Sequence, residues 1–214
     1  MASHGGEDPA DTGGSGGSSG SDEPRLWVAG GTLLAAGAEL QDPNFMHGVV
    51  LMCRHTDDGA YGLVLNRPSE LTTRQLLADH PEFGGDRAPE LPVYLGGPVG
   101  LDTLQVLHRV PEHVQGGVEI AYGVLLGGDL DAIARYAAEQ PQQAGRNLRF
   151  TMGYSGWGAG QLEYELATGS WLPARGSAGI VFEADCEGLW RAVVRSLGEA
   201  GQGLADQPPD PRWN

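Results

Sequence analysis

The chain of 214 residues is 40% apolar and carries 28 acidic against 13 basic side chains, a formal net charge of −15. That balance opposes direct nucleic-acid binding, which needs Lys and Arg clustered along a phosphate track; the densest approach here is Arg146 with Arg149, or Arg191 with Arg195. All thirteen bases are arginine, which excludes Schiff-base and P-loop lysine chemistry, and no apolar run reaches the ~18 residues of a membrane span.

Residues 1–24 hold seven Gly, five Ser and five acids without any Lys, Arg or aromatic residue, so they are expected to be a disordered tail. Residues 25–197 are expected to form one folded domain. Residues 198–214, with Pro208, Pro209 and Pro211, read as a flexible tail. Within the domain, residues 32–36 and 49–53 predict buried strands. The turn Asp42–Pro43–Asn44–Phe45 joins them, with Phe45 placed to plug its underside. Asp57–Asp58–Gly59 predicts a hairpin turn, followed by a strand over 61–65 that Pro68 keeps from continuing as a central strand. Thr72 and Gln75 have capping-box spacing, and Leu71 can staple onto Leu76, so a helix starts there.

Residues 93–95 predict a short strand running into Gly96–Gly97–Pro98–Val99, and 104–108 and 123–126 predict two more. Asp129 caps a helix that carries Leu130, Ile133, Ala134 and Ala137 on one face and is stopped by Pro141. A strand over 148–152 leads into the segment Gly153–Tyr154–Ser155–Gly156–Trp157–Gly158–Ala159–Gly160, which reads as the passage from strand to helix. That helix places Leu162 and Leu166 one turn apart and ends at Gly169. Residues 180–182 predict a strand, and Asp185 caps a last helix with Trp190, Val193, Val194 and Leu197 on one stripe. Strands with irregularly interspersed helices indicate an α+β fold. Cys53 and Cys186 show no C-x-x-C spacing, so neither a disulfide framework nor a zinc knuckle is expected. With no targeting signal in view, a cytoplasmic location is expected.

Four signatures, taken together, have a family likeness. Asp42–Pro43–Asn44–Phe45, Gly62–Leu63–Val64–Leu65–Asn66–Arg67–Pro68, Gly96–Gly97–Pro98–Val99 with Leu107–His108, and Gly153–Tyr154–Ser155–Gly156–Trp157 with Gln161–Leu162–Glu163 closely resemble the YqgE/AlgH family of bacterial proteins. The resemblance covers about residues 31–197; Ala36–Gly37 stands where the family often shows alanine-proline. It implies one compact α+β domain with a mixed, partly barrel-like sheet flanked by helices. It names no reaction, although some members are described as transcriptional regulators.

The residues must then be weighed by their own chemistry. Gly153–Tyr154–Ser155–Gly156–Trp157 is similar to a nucleophile elbow, but Trp157 stands where that turn requires glycine, so Ser155 reads as a turn or cap residue. Asp129 or Glu163 with His108 could complete a triad only if the fold gathers them. Glycines before a helix expose N–H groups that suit an anion, Trp157 can wall a ring, and Arg67 with Asn66 can clamp a carboxylate. The candidate ligand site is therefore Asn66, Arg67, Gly96, Gly97, Ser155, Trp157 and Gln161. The competing reading has the glycines serving close packing, Arg67 pairing with an acid such as Glu163, and Trp157 filling the core. His47 with His55, and His108 with His113, lack a metal-binding pattern, and no metal or cofactor is expected. The expected function is a regulatory or adaptor protein that binds a protein partner or a small ligand without catalysis. A hydrolase or nuclease-associated enzyme using carboxylates, His108 and the glycine-rich loop is the alternative, and direct DNA binding is disfavoured by charge.

Overall fold

The computed structural model describes residues 28–83 and 89–206; residues 1–24 lie outside the described part. The strands are β1 (Leu33–Ala36), β2 (Val49–Thr56), β3 (Gly59–Val64), β4 (Pro68–Thr72), β5 (Pro92–Leu95), β6 (Val99–His108), β7 (Gly117–Ala121), β8 (Val124–Gly127), β9 (Leu148–Gly158) and β10 (Trp171–Ala174). The helices are α1 (Thr73–Leu76), α2 (Leu130–Glu139), α3 (Pro141–Asn147), α4 (Gln161–Ala167), α5 (Ala178–Glu183), α6 (Cys186–Arg195) and α7 (Glu199–Ala205).

One sheet runs in the order β10-β1-β2-β3-β9-β6-β8-β7, with β5 joining β9 and β4 joining β5. Each pairing is antiparallel except β5 with β9, so the sheet is mixed. It curls into a half-barrel: the segment before β1 comes so close to β7 that a Cβ on Gly30 would lie 3.1 Å from the Ile120 carbonyl oxygen. The α+β class follows from this curled sheet with helices packed on it.

The core has two clusters. The first gathers Leu33, Leu34, Val50, Leu63 and Trp171 of the sheet under Leu189, Trp190, Val193 and Val194 of α6. Those α6 residues recur at helical spacing, which is why the stripe read from the sequence faces inward. The second packs Val93, Val106, Phe150 and Met152 against Ile133, Ala134 and Ala137 of α2. Each fully buried Leu, Val or Phe in these clusters contributes about 1.5–3 kcal/mol of transfer free energy.

Local signals behave as their chemistry requires. The Asp129 carboxylate accepts from the Ala132 N–H at 2.7 Å and starts α2, and Thr72 with Gln75 form the capping box of α1. Pro141 ends α2 and also opens α3 from its first turn, where its missing N–H costs nothing. Asp57 and Asp58 span the β2–β3 hairpin.

Several expectations need correction. Residues 180–182 are helical, within α5, because the Ser177 hydroxyl accepts from the Ile180 N–H at 3.2 Å and caps a turn; three apolar residues in a row carry no period that separates strand from helix. The chain beyond Leu197 is not simply a tail, since α7 packs on α6 and buries Ala205; the fold runs at least to Asp206. The passage from strand to helix comes later in the glycine-rich segment than expected, at Ala159 and Gly160. The segment is strand as far as Gly158, and α4 starts only at Gln161. Strands β4 and β7 had no expected counterpart, and β6 starts at Val99, five residues ahead of the expected 104–108.

Candidate functional site

The signature residues converge on the C-terminal half of β9, where they form three small assemblies. In the first, backbone packs on backbone. Gly97, at φ +149°, leaves no room for a side chain: a Cβ there would sit 2.3 Å from the Tyr154 carbonyl carbon, and one on Gly96 would sit 2.5 Å from the Gly153 carbonyl oxygen. The Ser155 hydroxyl is buried beside them and donates to the Gly96 carbonyl at 3.1 Å.

The second assembly is a tryptophan cage. Trp157 is only 7% exposed; its indole N–H donates to the Glu165 carboxylate at 2.8 Å, and Trp171 donates to the same oxygen, also at 2.8 Å. Phe45 enters from the Asp42 turn, its ring centroid 6.5 Å from that of Trp157 and 5.5 Å from that of Trp171. Gln161 closes the cage, accepting from the Gly158 N–H at 3.1 Å and donating to Glu165 at 2.9 Å. Aromatic rings at these separations and one carboxylate taking two indole donors make a satisfied polar centre inside an apolar plug.

The third assembly clamps the Asp42 turn. The Asn66 side chain accepts from the Val49 N–H and donates to the His47 carbonyl, each at 2.8 Å. The Arg67 guanidinium donates to the Met46 carbonyl and, at 3.3 Å, to that of Pro43, while its buried Nε finds no partner among the described residues. Arg67 thus pairs with carbonyls and not with Glu163, as the competing reading had supposed.

The side-chain polar atoms of Asn66, Ser155, Trp157 and Gln161 are thus spent on the protein itself, as is the terminal nitrogen of Arg67 that meets the turn. The glycines serve close packing, and Trp157 faces the core.

A hydrolytic triad is not gathered. His108 pairs with Leu148 across the sheet, and Ser155 lies seven residues further along β9, roughly 23 Å away at ~3.3 Å per residue. Asp129 is occupied as a helix cap, and Glu163 bonds His55. His108 is fully buried; its Nδ1 accepts from the Val110 N–H at 3.4 Å, and Nε2 finds no partner among the described residues. Burial holds the His108 pKa below its usual value, although Glu112 pulls the other way, so the ring is neutral.

His55 was not singled out as a partner of any acid, yet its Nδ1 meets the Val28 carbonyl at 2.8 Å and its Nε2 meets Glu163 at 2.7 Å. Both neighbours only accept, so the ring serves both when doubly protonated. Burial alone would lower the His55 pKa; the hydrogen bonds to Val28 and Glu163 outweigh it and raise the value. Among the described residues no group of three His, Cys, Asp or Glu side chains is arranged to hold a metal ion, and no helix is long and apolar enough to cross a membrane. Cys53 and Cys186 are unpaired.

The outer surface around the same strand differs in character. Tyr154 and Tyr61 pack ring to ring at 5.0 Å, and the Tyr154 ring overlies Gly100 and Gly156. Leu101 reaches over Gly153 and is 58% exposed; Val99, two residues before it, and Leu95, in register with Met152 of β9, are exposed as well. These residues form an apolar shelf on an acidic protein, a feature that sequence alternation could not reveal because Gly153, at φ +69°, breaks the two-residue period of β9.

Residues 33–201 match the model of a family described as AlgH-like. A UPF0301 protein of Chlorobaculum tepidum is 39% identical over 184 residues, covering 86% of this chain and 95% of that one, and one of Cytophaga hutchinsonii is 36% identical, with 86% and 98% covered. The solution structure of the AlgH protein from Pseudomonas aeruginosa is similar, with a TM-score of 0.62 at 30% identity over 84% of this chain and 94% of that one. A crystal structure of a Corynebacterium diphtheriae protein shares the fold, with a TM-score of 0.69 at 18% identity over 86% and 94%.

Proposed function

The chain belongs to the AlgH-like family, and on that premise we propose that it is a cytoplasmic regulatory or adaptor protein that acts by binding a partner and not by catalysis. The observation that carries the reading is the exposed Leu95, Val99 and Leu101 near the half-buried Tyr61 and Tyr154, on a chain of net charge −15. Exposed apolar side chains that cluster instead of scattering are the usual mark of a protein-binding surface. Aromatic residues with little rotamer freedom suit such a surface, because ordering them on binding costs little entropy. The buried and occupied state of Ser155, together with its distance from His108, supports binding over turnover. An effect on transcription would pass through a protein partner, since the acidic charge opposes a direct grip on DNA. The two unpaired cysteines fit a reducing compartment.

The test uses the full chain as bait in a lysate, beside Leu101→Asp and Val99→Asp variants. We expect one stoichiometric partner to be captured by the parent chain and lost with the variants, with melting temperatures unchanged to within about 2 °C because both sites are exposed. Equal capture by parent and variants would remove the shelf from consideration. Turnover of a generic ester or phosphodiester would overturn the non-catalytic reading.

A further inference from the structure

The segment ahead of β1, residues 28–31, lies as a strap across the seam of the half-barrel, between β2 and β7. A Cβ on Gly30 would meet the Ile120 carbonyl oxygen at 3.1 Å and the Cys53 carbonyl oxygen at 3.4 Å; one on Gly31 would lie 2.4 Å from the Ala121 Cβ. Strand β7 pairs only with β8, so the strap fills the space beside the free end of the sheet. Among the described residues no backbone hydrogen bond joins the strap to β7. Its polar anchors are on β2: the Gly31 N–H donates to the Met52 carbonyl at 2.8 Å, and Nδ1 of His55 donates to the Val28 carbonyl, also at 2.8 Å. Gly30 and Gly31 give the strap the backbone freedom to move once an anchor is lost.

The same imidazole reaches α4 on its other side, where Nε2 lies 2.7 Å from Glu163 Oε1. A carbonyl and a carboxylate each need a proton from the ring, and an imidazole carries two only when it is charged. The charged groups facing it are both acids, Glu163 from α4 and Asp57 from the β2–β3 turn. The strap offers only its carbonyl, and Ala60, opposite on β3, brings no charge. Burial opposes the charged ring, but the hydrogen bonds and the two acids outweigh it. When the proton leaves, one N–H remains for two acceptors. The ionised Glu163 holds that N–H more strongly than a carbonyl does, so a lone pair is left facing Val28 and the strap loses an anchor.

We propose that His55 is a proton-operated clasp: doubly protonated it ties the strap to β2 and α4, and on deprotonation it lets the strap leave the seam. Release uncovers Ile120 and Ala121, which adjoin the exposed Val118 and Tyr122, so rising pH enlarges an apolar face at the end of the sheet. The clasp is separate from the shelf beside β9, and neither proposal falls with the other.

The experiment follows deuterium uptake of the full chain at about pH 5.5 and about pH 8.5, on either side of the imidazole titration, as protection factors that divide out the pH dependence of the exchange chemistry. Residues 28–32 report the strap, and residues 150–154 of β9 report global unfolding. Strap protection is expected to fall about fivefold to tenfold at the higher pH, as the loss of one hydrogen bond implies, with β9 changing less. Glu163→Gln is the deciding variant, and the exposure of Glu163 lets the fold accept it. Its amide N–H can donate to Nε2 of a neutral ring, which leaves Nδ1–H for Val28, so strap protection is expected to be the same at both pH values. An ion pair that only stabilises the fold predicts the reverse, a looser strap in this variant. His55→Phe keeps a ring without a donor and is expected to leave the strap loose at both pH values. Strap protection that does not respond to pH in the parent, a parent-like response in Glu163→Gln, or a fall shared equally by residues 150–154 would each overturn the proposal.

Discussion

Trp157 and Glu165 show how far a single position can be read. The tryptophan was open to two readings, core plug or recognition wall. Phe45 and Trp171 decide between them, one from a turn more than a hundred residues upstream and the other from the strand after α4. Replacing Trp157 with Ala is expected to cost about 3–5 kcal/mol, read from urea unfolding followed by circular dichroism. Glu165→Gln leaves the packing but gives up a carboxylate acceptor, and is expected to cost about 1–3 kcal/mol. A Trp157→Ala protein as stable as the parent would mean that the indole is not core. The role of Glu165 could not be read from sequence, because it exists only once two indoles from different strands point at one oxygen. The Gln161–Glu165 bond was accessible in principle, since a four-residue spacing on a helix puts the two side chains together.

At the same scale, His55 and Glu163 set a pH dependence. The folded pKa of His55 is raised, so its contribution is complete below about pH 6.5 and is lost as pH rises through the folded value. Glu163 is held low by a hydrogen bond from its own backbone N–H and by His55, so its contribution is present above about pH 4.3 and is lost as pH falls. The pair therefore helps most between those two values. The melting-temperature gap between the parent and His55→Asn should be widest near pH 5.5 and should narrow by pH 9; a gap that does not change with pH would refute the coupling.

Among the elements, β9 departs furthest from what its sequence suggests. Four glycines within eight residues, Gly153, Gly156, Gly158 and Gly160, look like a loop, yet the strand continues to Gly158; of the four only Gly153 is hemmed in by backbone, where a Cβ would lie 2.6 Å from the Gly97 carbonyl oxygen. The glycines of these signatures are not equivalent. Gly97→Ala puts a methyl group into the Tyr154 carbonyl at an unfavourable φ and is expected to lower the melting temperature by more than 10 °C or to prevent folding. Gly156→Ala meets nothing nearer than the Tyr154 ring at 3.4 Å and is expected to stay within about 3 °C of the parent. Differential scanning fluorimetry of the two side by side tests the distinction; equal losses would mean that the close approach at Gly97 is not what constrains it. Caps and amphipathic faces such as Asp129 with α2 and the α6 stripe were legible, because their chemistry is local. The reach of β6 and β9 was not, since partner strands decide it, and neither was the helical state of residues 180–182, because three apolar residues in a row carry no period.

For the molecule as a whole, the sequence carried the class, the family likeness and the curl of the sheet, because four separated signatures keep their order and spacing. It did not carry the way they meet. The candidate site residues were legible as signatures but not their contacts, and the outward face beside them adds residues the signatures do not include, Leu101 and Leu95 among them. Charge was the other whole-molecule property that sequence delivered directly, and it acts on the choice of partner and not on the fold.

The position of β9 in the sheet has a further consequence, for the order in which the molecule loosens. It is bonded to β3 and β5 along one edge and to β6 along the other, and it forms a wall of both core clusters, while β7 at the far end pairs only with β8. Amide protons should therefore exchange with solvent in a gradient. The β7–β8 hairpin should exchange first, through local fraying, and residues 150–154 last, at the rate set by global unfolding. Deuterium uptake read by mass spectrometry would show this, and early exchange in β9 would mean that the two cores open independently. A strand that no partial opening can reach keeps the glycine crossing and the tryptophan cage in register for as long as the molecule is folded at all.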